Sequence, residues 1–197
     1  KKVDKLLDYE FIQEYGKNYD RGKNMIIYKV LKNTIKKLIQ TDIDKINNGI
    51  KLKIIDIESK LEVNLVTEKT KIKYKLKGTV DRIQSENGDV KIIDYKTGAF
   101  EPHKLSFNSY QDLVDKKKKE AFQLLCYCLM FSNTLKKAKN LNAGIISFKN
   151  LSLGLISLKK SKTESYNLEE LNDFKKVLDN IIEEIFDQSI SFSENQP

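Results

Sequence analysis

The chain has 197 residues, 40% of them hydrophobic and 32% charged, which suits one domain, or one domain with an appended helical segment, and is a globular composition, not a disordered one. No apolar run reaches the roughly 18 residues of a membrane span, and no secretory pattern opens the chain. The formal charge is +8, from 36 Lys+Arg against 28 Asp+Glu; the surplus favours an anionic partner such as nucleic acid, although a Lys-, Ile- and Asn-rich composition also produces it.

In chain order, residues 4–16 read as a short helix carrying Leu6, Leu7, Phe11 and Ile12. Residues 24–47 read as a longer one, with Ile27, Val30, Leu31, Ile35, Leu38, Ile39 and Ile43 at helical spacing. Three strands follow at 52–66, 71–83 and 89–96, where alternation and β-branched residues dominate. Residues 117–133 form a helix, 143–149 and 153–159 short strands, and 167–187 a final amphipathic helix. This order predicts an α/β fold, a central mixed β-sheet flanked by helices. The opening Lys1-Lys2-Val3 lacks a Met, which suggests a piece of a longer chain. Cys126 and Cys128 are too few for a zinc site or a disulfide framework, and fit a reducing, cytoplasmic compartment.

The segment from Lys75 to Gly98 carries the chemistry. Asn87-Gly88 suits a two-residue hairpin turn, whose central residues both need positive φ. That turn places Asp81 opposite Asp94 and Thr79 opposite Lys96, and alternation puts Asp81, Asp94 and Lys96 on one face. Opposed carboxylates at a Cβ spacing of about 5 Å repel, and a divalent cation is the natural relief. A metal beside a lysine can bind phosphate and neutralise developing charge. A three-residue turn would shift the register by one and send Asp81 to the other face, leaving a solvated surface hairpin. On the following helix, Gln123 and Tyr127 share a face at i, i+4, as a polar pair in a site or as a satisfied core network.

Together these pieces resemble the RecB-like branch of the PD-(D/E)XK nucleases, especially the nuclease domain of AddB-type helicase–nuclease subunits. The resemblance lies in Gly78-Thr79-Val80-Asp81-Arg82-Ile83, then Ile92-Ile93-Asp94-Tyr95-Lys96-Thr97-Gly98, then Gln123 and Tyr127, in that order and spacing. It covers about residues 20–192 and implies a single nuclease domain over 1–197 with a restriction-endonuclease-like core. It implies Mg²⁺ or Mn²⁺ held by Asp81, Asp94 and the Tyr95 carbonyl. Lys96 would orient the attacking water, and Gln123 and Tyr127 would line the site. Glu58 resembles a glutamate that many members carry. The implied role is exonuclease digestion of DNA in double-strand break repair and recombination, with a helicase subunit as partner and no membrane.

Two departures stand out. Many members place a histidine where this chain has Tyr28, and tyrosine is a poor metal ligand at neutral pH. Several relatives hold an iron–sulfur cluster, but Cys126 and Cys128 do not match its cysteine positions, so they read as buried core thiols and no cluster is expected in this chain. His103 reads as a solvated loop residue. The run Lys116 to Lys119 either contacts phosphates or solvates a helix start. The alternatives are an inactive DNA-binding module of the same fold and a CRISPR-associated relative of the same branch.

Overall fold

The computed structural model describes residues 2–17, 19, 21–132 and 141–191. Helices α1 (Lys2–Tyr15) and α2 (Gly22–Asn47) come first, then strands β1 (Leu52–Val66), β2 (Lys73–Glu86) and β3 (Asp89–Lys96). The two-residue strand β4 (Ser106–Phe107) precedes helix α3 (Lys119–Ser132). Strands β5 (Leu141–Ser147), β6 (Leu155–Ser157), β7 (Lys159–Lys160) and β8 (Ser165–Tyr166) lead to helix α4 (Leu168–Phe186). The main sheet has the order β1-β2-β3-β5-β6, with β8 also paired to β5. Among the described residues only β3 and β5 run parallel in it, joined by the crossover that contains α3. The sheet is therefore mixed and helix-flanked, as the element order predicts.

The β2–β3 hairpin closes tightly. Asn87 and Gly88 both have positive φ, 54° and 100°, and the pairing runs from Glu86 with Asp89 to Arg82 with Ile93. This is the two-residue turn, whose twist matches that of the strands. It carries β2 on to Glu86, beyond the expected end at 83.

Helix α3 forms the centre of the core. Ala121, Leu124, Leu125, Cys128 and Met130 are almost fully buried, against Ile83 and Ile92 of the hairpin and Leu171 and Phe174 of α4. Its expected end at 133 lies outside the described residues. Helix α4 starts with a capping box, in which Asn167 Oδ1 accepts from Glu170 N–H and Glu170 accepts from Asn167 N–H. The segment after β5 differs from the expected pair of strands. A 3₁₀ turn at Phe148–Leu153 separates them, and Lys159–Lys160 leaves the main sheet to pair with β4.

Helix α2 forms where its periodicity predicts, yet none of its residues is buried. Ile27, Val30, Ile39 and Ile43 are exposed. Polar contacts hold it to the sheet instead: Asp42 meets Arg82 Nη2 at 2.8 Å, and Lys45 Nζ meets Glu86 Oε1 at 2.7 Å. Periodicity reports a helix face, but not whether another element covers it.

Glu86 is buried and accepts from Lys45, Gln84 and Lys91. Burial opposes its ionisation, but Lys45 and Lys91 outweigh burial and hold the carboxyl below its ordinary range. A lowered folded pKa stabilises above the unfolded pKa of about 4.3 and is lost as pH falls through the folded value. Glu86→Gln should therefore cost about 1–3 kcal/mol at pH 7. In thermal melts the gap from the wild type should shrink as pH drops below about 4. A gap that does not change with pH would contradict this.

Candidate active site

The hairpin register brings the acidic pair together. Asp81 follows the last ladder pair of β2, and its Oδ2 accepts from the Tyr95 N–H at 2.6 Å. That bond ties the open end of the hairpin across the two strands. Asp94 is only 6% exposed, and its Oδ2 meets Lys96 Nζ at 2.8 Å. Burial raises the Asp94 carboxyl above its usual range, Lys96 pulls it back, and Asp81 and Glu120 push it further up. Burial also works against the Lys96 ammonium, but the Asp94 contact overrides it and holds Lys96 above the ordinary lysine range. Lys96 is thus a proton-bearing cation at neutral pH, a donor rather than a base.

Gln123 and Tyr127 reach the same place from α3. Gln123 Nε2 donates to Tyr127 Oη at 2.8 Å. Burial raises the Tyr127 phenol; Gln123 opposes this, while Asp94 and Asp81 add to it. The hydroxyl therefore stays protonated and has its own hydrogen to give. Glycine is required at Gly78 by the close approach of this ring, because a Cβ there would lie 2.8 Å from Tyr127 Cε1 and 3.3 Å from Met130 Cε.

Glu120 and Asp42, which the sequence pattern does not single out, belong to this arrangement, as does Arg82 of the Asp81-Arg82-Ile83 motif. Glu120 sits in the first turn of α3, three residues before Gln123, and its side chain is mostly covered. Helical spacing from Gln123 would have found it, but it reads as the end of a lysine-rich run. Arg82 and Asp42 form a buried latch: Arg82 Nη1 donates to Tyr95 Oη at 3.3 Å while Nη2 meets Asp42. The Tyr95 ring lies on the α2 side of the sheet, whereas its N–H serves Asp81.

The other candidates take different places. Glu58 falls between the pairs Ile57–Arg82 and Ser59–Val80, level with Asp81, and has a φ of 52° at an exposed position. Tyr28 turns to α1: its hydroxyl donates to Asp8, and its ring packs on Phe11 and Tyr19 with centroids 5.0 Å away in both cases. His103 is exposed beside Glu101. Lys118 departs from the solvated run, because its Nζ donates to the carbonyls of His103 and Ser106 and pins that loop. Cys126 and Cys128 are free, buried thiols, and burial pushes Cys126 up to about 12.

Among the described residues no three His, Cys, Asp or Glu side chains converge as a ready-made metal cage. The donor chemistry here is two hard carboxylates, each with one oxygen outside the contacts named above. That set fits Mg²⁺ or Mn²⁺, since Mg²⁺ is commonly held by one or two carboxylates and keeps several waters.

Adding a methyl at Gly78 forces the Tyr127 ring to move. Gly78→Ala should cost about 1–3 kcal/mol in urea unfolding. A loss under about 0.5 kcal/mol, the range of a neutral surface change, would mean that the ring is not held there.

Comparison with known proteins gives one family. The model of the PD-(D/E)XK nuclease superfamily matches residues 2–197. No curated protein matches significantly. A solved structure described as the crystal structure of SSO0001 is similar at 16% identity, over 93% of this chain and 75% of its own, with a TM-score of 0.33. That likeness is too loose to carry any argument. The family match spans the sheet, the hairpin and α3, and on it the chain belongs to the PD-(D/E)XK nuclease superfamily.

Proposed function

We propose that this chain is a single DNA nuclease domain of the RecB-like, AddB-type branch, which hydrolyses phosphodiester bonds with Mg²⁺ or Mn²⁺. The observation that carries the reading is the Asp94–Lys96 contact at 2.8 Å, with Asp81 and Tyr127 close enough to act on the same charges. Asp81, Asp94 and the Tyr95 carbonyl are the proposed metal ligands. When bound, the metal supplies Lewis acidity toward the phosphate and lowers the pKa of water.

The protein's own groups do the rest. Lys96, held protonated, donates to the phosphate and orients the attacking water. The water oxygen forms the new P–O bond in line as the P–O3′ bond breaks. The water gives its proton to solvent, the 3′ oxygen takes one from solvent and leaves as a hydroxyl, and the Lys96 ammonium offsets the charge on the phosphate. Gln123 fixes the Tyr127 hydroxyl, which donates toward the phosphate or accepts from the Lys96 ammonium. Backbone chemistry of this kind reads no base, which suits exonuclease digestion without sequence preference. The wider reading is double-strand break repair and recombination in the cytoplasm, with a helicase subunit feeding DNA strands. The free cysteines are consistent with a reducing compartment. No helix among the described residues is long and apolar enough to cross a membrane.

One observation favours a second reading, a DNA-binding module without turnover. Tyr28 is engaged by Asp8 and adds no donor to the acidic pair. Hydrolysis of labelled single- and double-stranded DNA in Mn²⁺ separates the two. The wild type should cut, and Asp94→Ala and Lys96→Ala should each lose about 10²-fold or more, the scale of removing one key transition-state stabiliser. Binding without cutting by the wild type supports the inactive module. Cutting that survives both substitutions rejects these residues.

A further inference from the structure

We infer that the groove between α2 and the Phe148–Leu153 turn is a binding track for a single DNA strand leading to the active site. This rests on the nuclease reading above and names where its substrate lies. The groove has a volume of about 620 Å³ and is lined by Asn33, Lys37, Phe148, Lys149 and Asn150, with Asp44 at one end.

Its position follows from the sheet. Strand β5 runs parallel to β3 and pairs Ser147 with Lys96. Ser147 Oγ also donates to the Gly98 carbonyl at 2.8 Å. The chain leaves β5 at Phe148, directly beside the strand end that carries Asp94 and Lys96. Phe148 then packs on the Tyr95 ring, with centroids 5.2 Å apart and planes at 37°. The groove thus lies on the α2 face of the sheet, with the Tyr95 ring behind Phe148, and a strand in it would reach Asp94 and Lys96 on the α3 face around the strand end beside Phe148. From there it follows α2 between Val30 and Asp44, about 21 Å at a helical rise of 1.5 Å per residue. Asp44 lies toward the Asn87-Gly88 turn, as the neighbouring contacts Asp42–Arg82 and Lys45–Glu86 require, so the acidic end is the one away from the site.

The lining suits a nucleic-acid strand. Lys37 and Lys149 are exposed and, among the described residues, neither joins an ion pair. On the same helix Lys32 and Lys36 are tied to Asp4 at 2.9 and 2.8 Å. Two unpaired ammonium groups offer phosphate contacts, two asparagine amides offer hydrogen bonds to backbone or base, and the Phe148 ring offers a stacking face. A duplex is less suited, because its bases are already stacked and leave Phe148 without a partner.

The test is binding of fluorescein-labelled oligothymidylate in EDTA, followed by anisotropy across a salt series. Lys37→Ala combined with Lys149→Ala should weaken binding several-fold more than Lys71→Ala combined with Lys162→Ala, which removes the same charge elsewhere. The slope of log affinity against log salt should fall by about 1.4, at about 0.7 per phosphate contact on a single strand. Phe148→Leu should weaken binding several-fold with the slope unchanged. Groove variants that bind like the charge-matched control overturn the track, and leave the nuclease reading standing if the wild type still cuts in Mn²⁺. A wild type that binds no oligothymidylate also overturns the track, while the nuclease reading stands or falls on cutting of DNA in Mn²⁺.

Discussion

Asn87 and Gly88 both take positive φ, and the candidate site hangs on the register that this turn imposes. Side chains on a strand alternate, so a slip of one residue between β2 and β3 would send Asp81 to the α2 side and leave Asp94 alone. With the two-residue turn, Ile83 pairs with Ile92 beneath α3, and the chain reaches Asp81 and Asp94 on the side of Gln123 and Tyr127. The buried isoleucines make the register costly to change. The apolar core thus specifies where the charges stand.

Placing those charges together is unfavourable by itself. Two carboxylates would repel by about 3 kcal/mol if about 5 Å apart at an effective dielectric near 20, and here Asp81 pushes the Asp94 carboxyl up. Asp94 is also buried, which raises its carboxyl further. The structure offsets this with short contacts: Lys96 on Asp94, and the Tyr95 N–H on Asp81. The first is a charge contact and the second a hydrogen bond, each at one oxygen of one carboxylate. The residual preference for positive charge is what the proposed divalent cation would exploit. The Arg82 latch to Tyr95 and Asp42 keeps the strand bearing these groups from shifting.

Most of the fold was legible because its signals are local. Alternation marked β1 to β3, Asn87-Gly88 marked the turn, and apolar spacing marked α3 and α4. The hairpin register and the spacing of Asp81, Asp94, Lys96, Gln123 and Tyr127 were readable for the same reason. What escaped depends on tertiary placement. Glu120 reads as one more charge beside four lysines until α3 turns it inward. The Arg82–Asp42 latch spans two elements 40 residues apart, and nothing in either segment announces it. The apolar stripe of α2 has the pattern of a buried face, yet Leu31, Ile35 and Leu38 are only half-buried and Ile27, Val30, Ile39 and Ile43 are exposed, because burial depends on what packs against it. Lys118 looks like its neighbours, and only the path of the 103–106 loop distinguishes it.

The most direct test of the account is Mn²⁺ binding read as thermal stabilisation in the absence of DNA. The wild type should melt higher as Mn²⁺ rises, gaining about 2.7 kcal/mol at a hundredfold excess over the dissociation constant. Asp81→Asn and Asp94→Asn, which remove one charge each at nearly constant shape, should show little or none of that gain. Equal stabilisation of all three proteins, or none of the wild type, would contradict the claim that this hairpin brings two carboxylates together to hold a divalent cation.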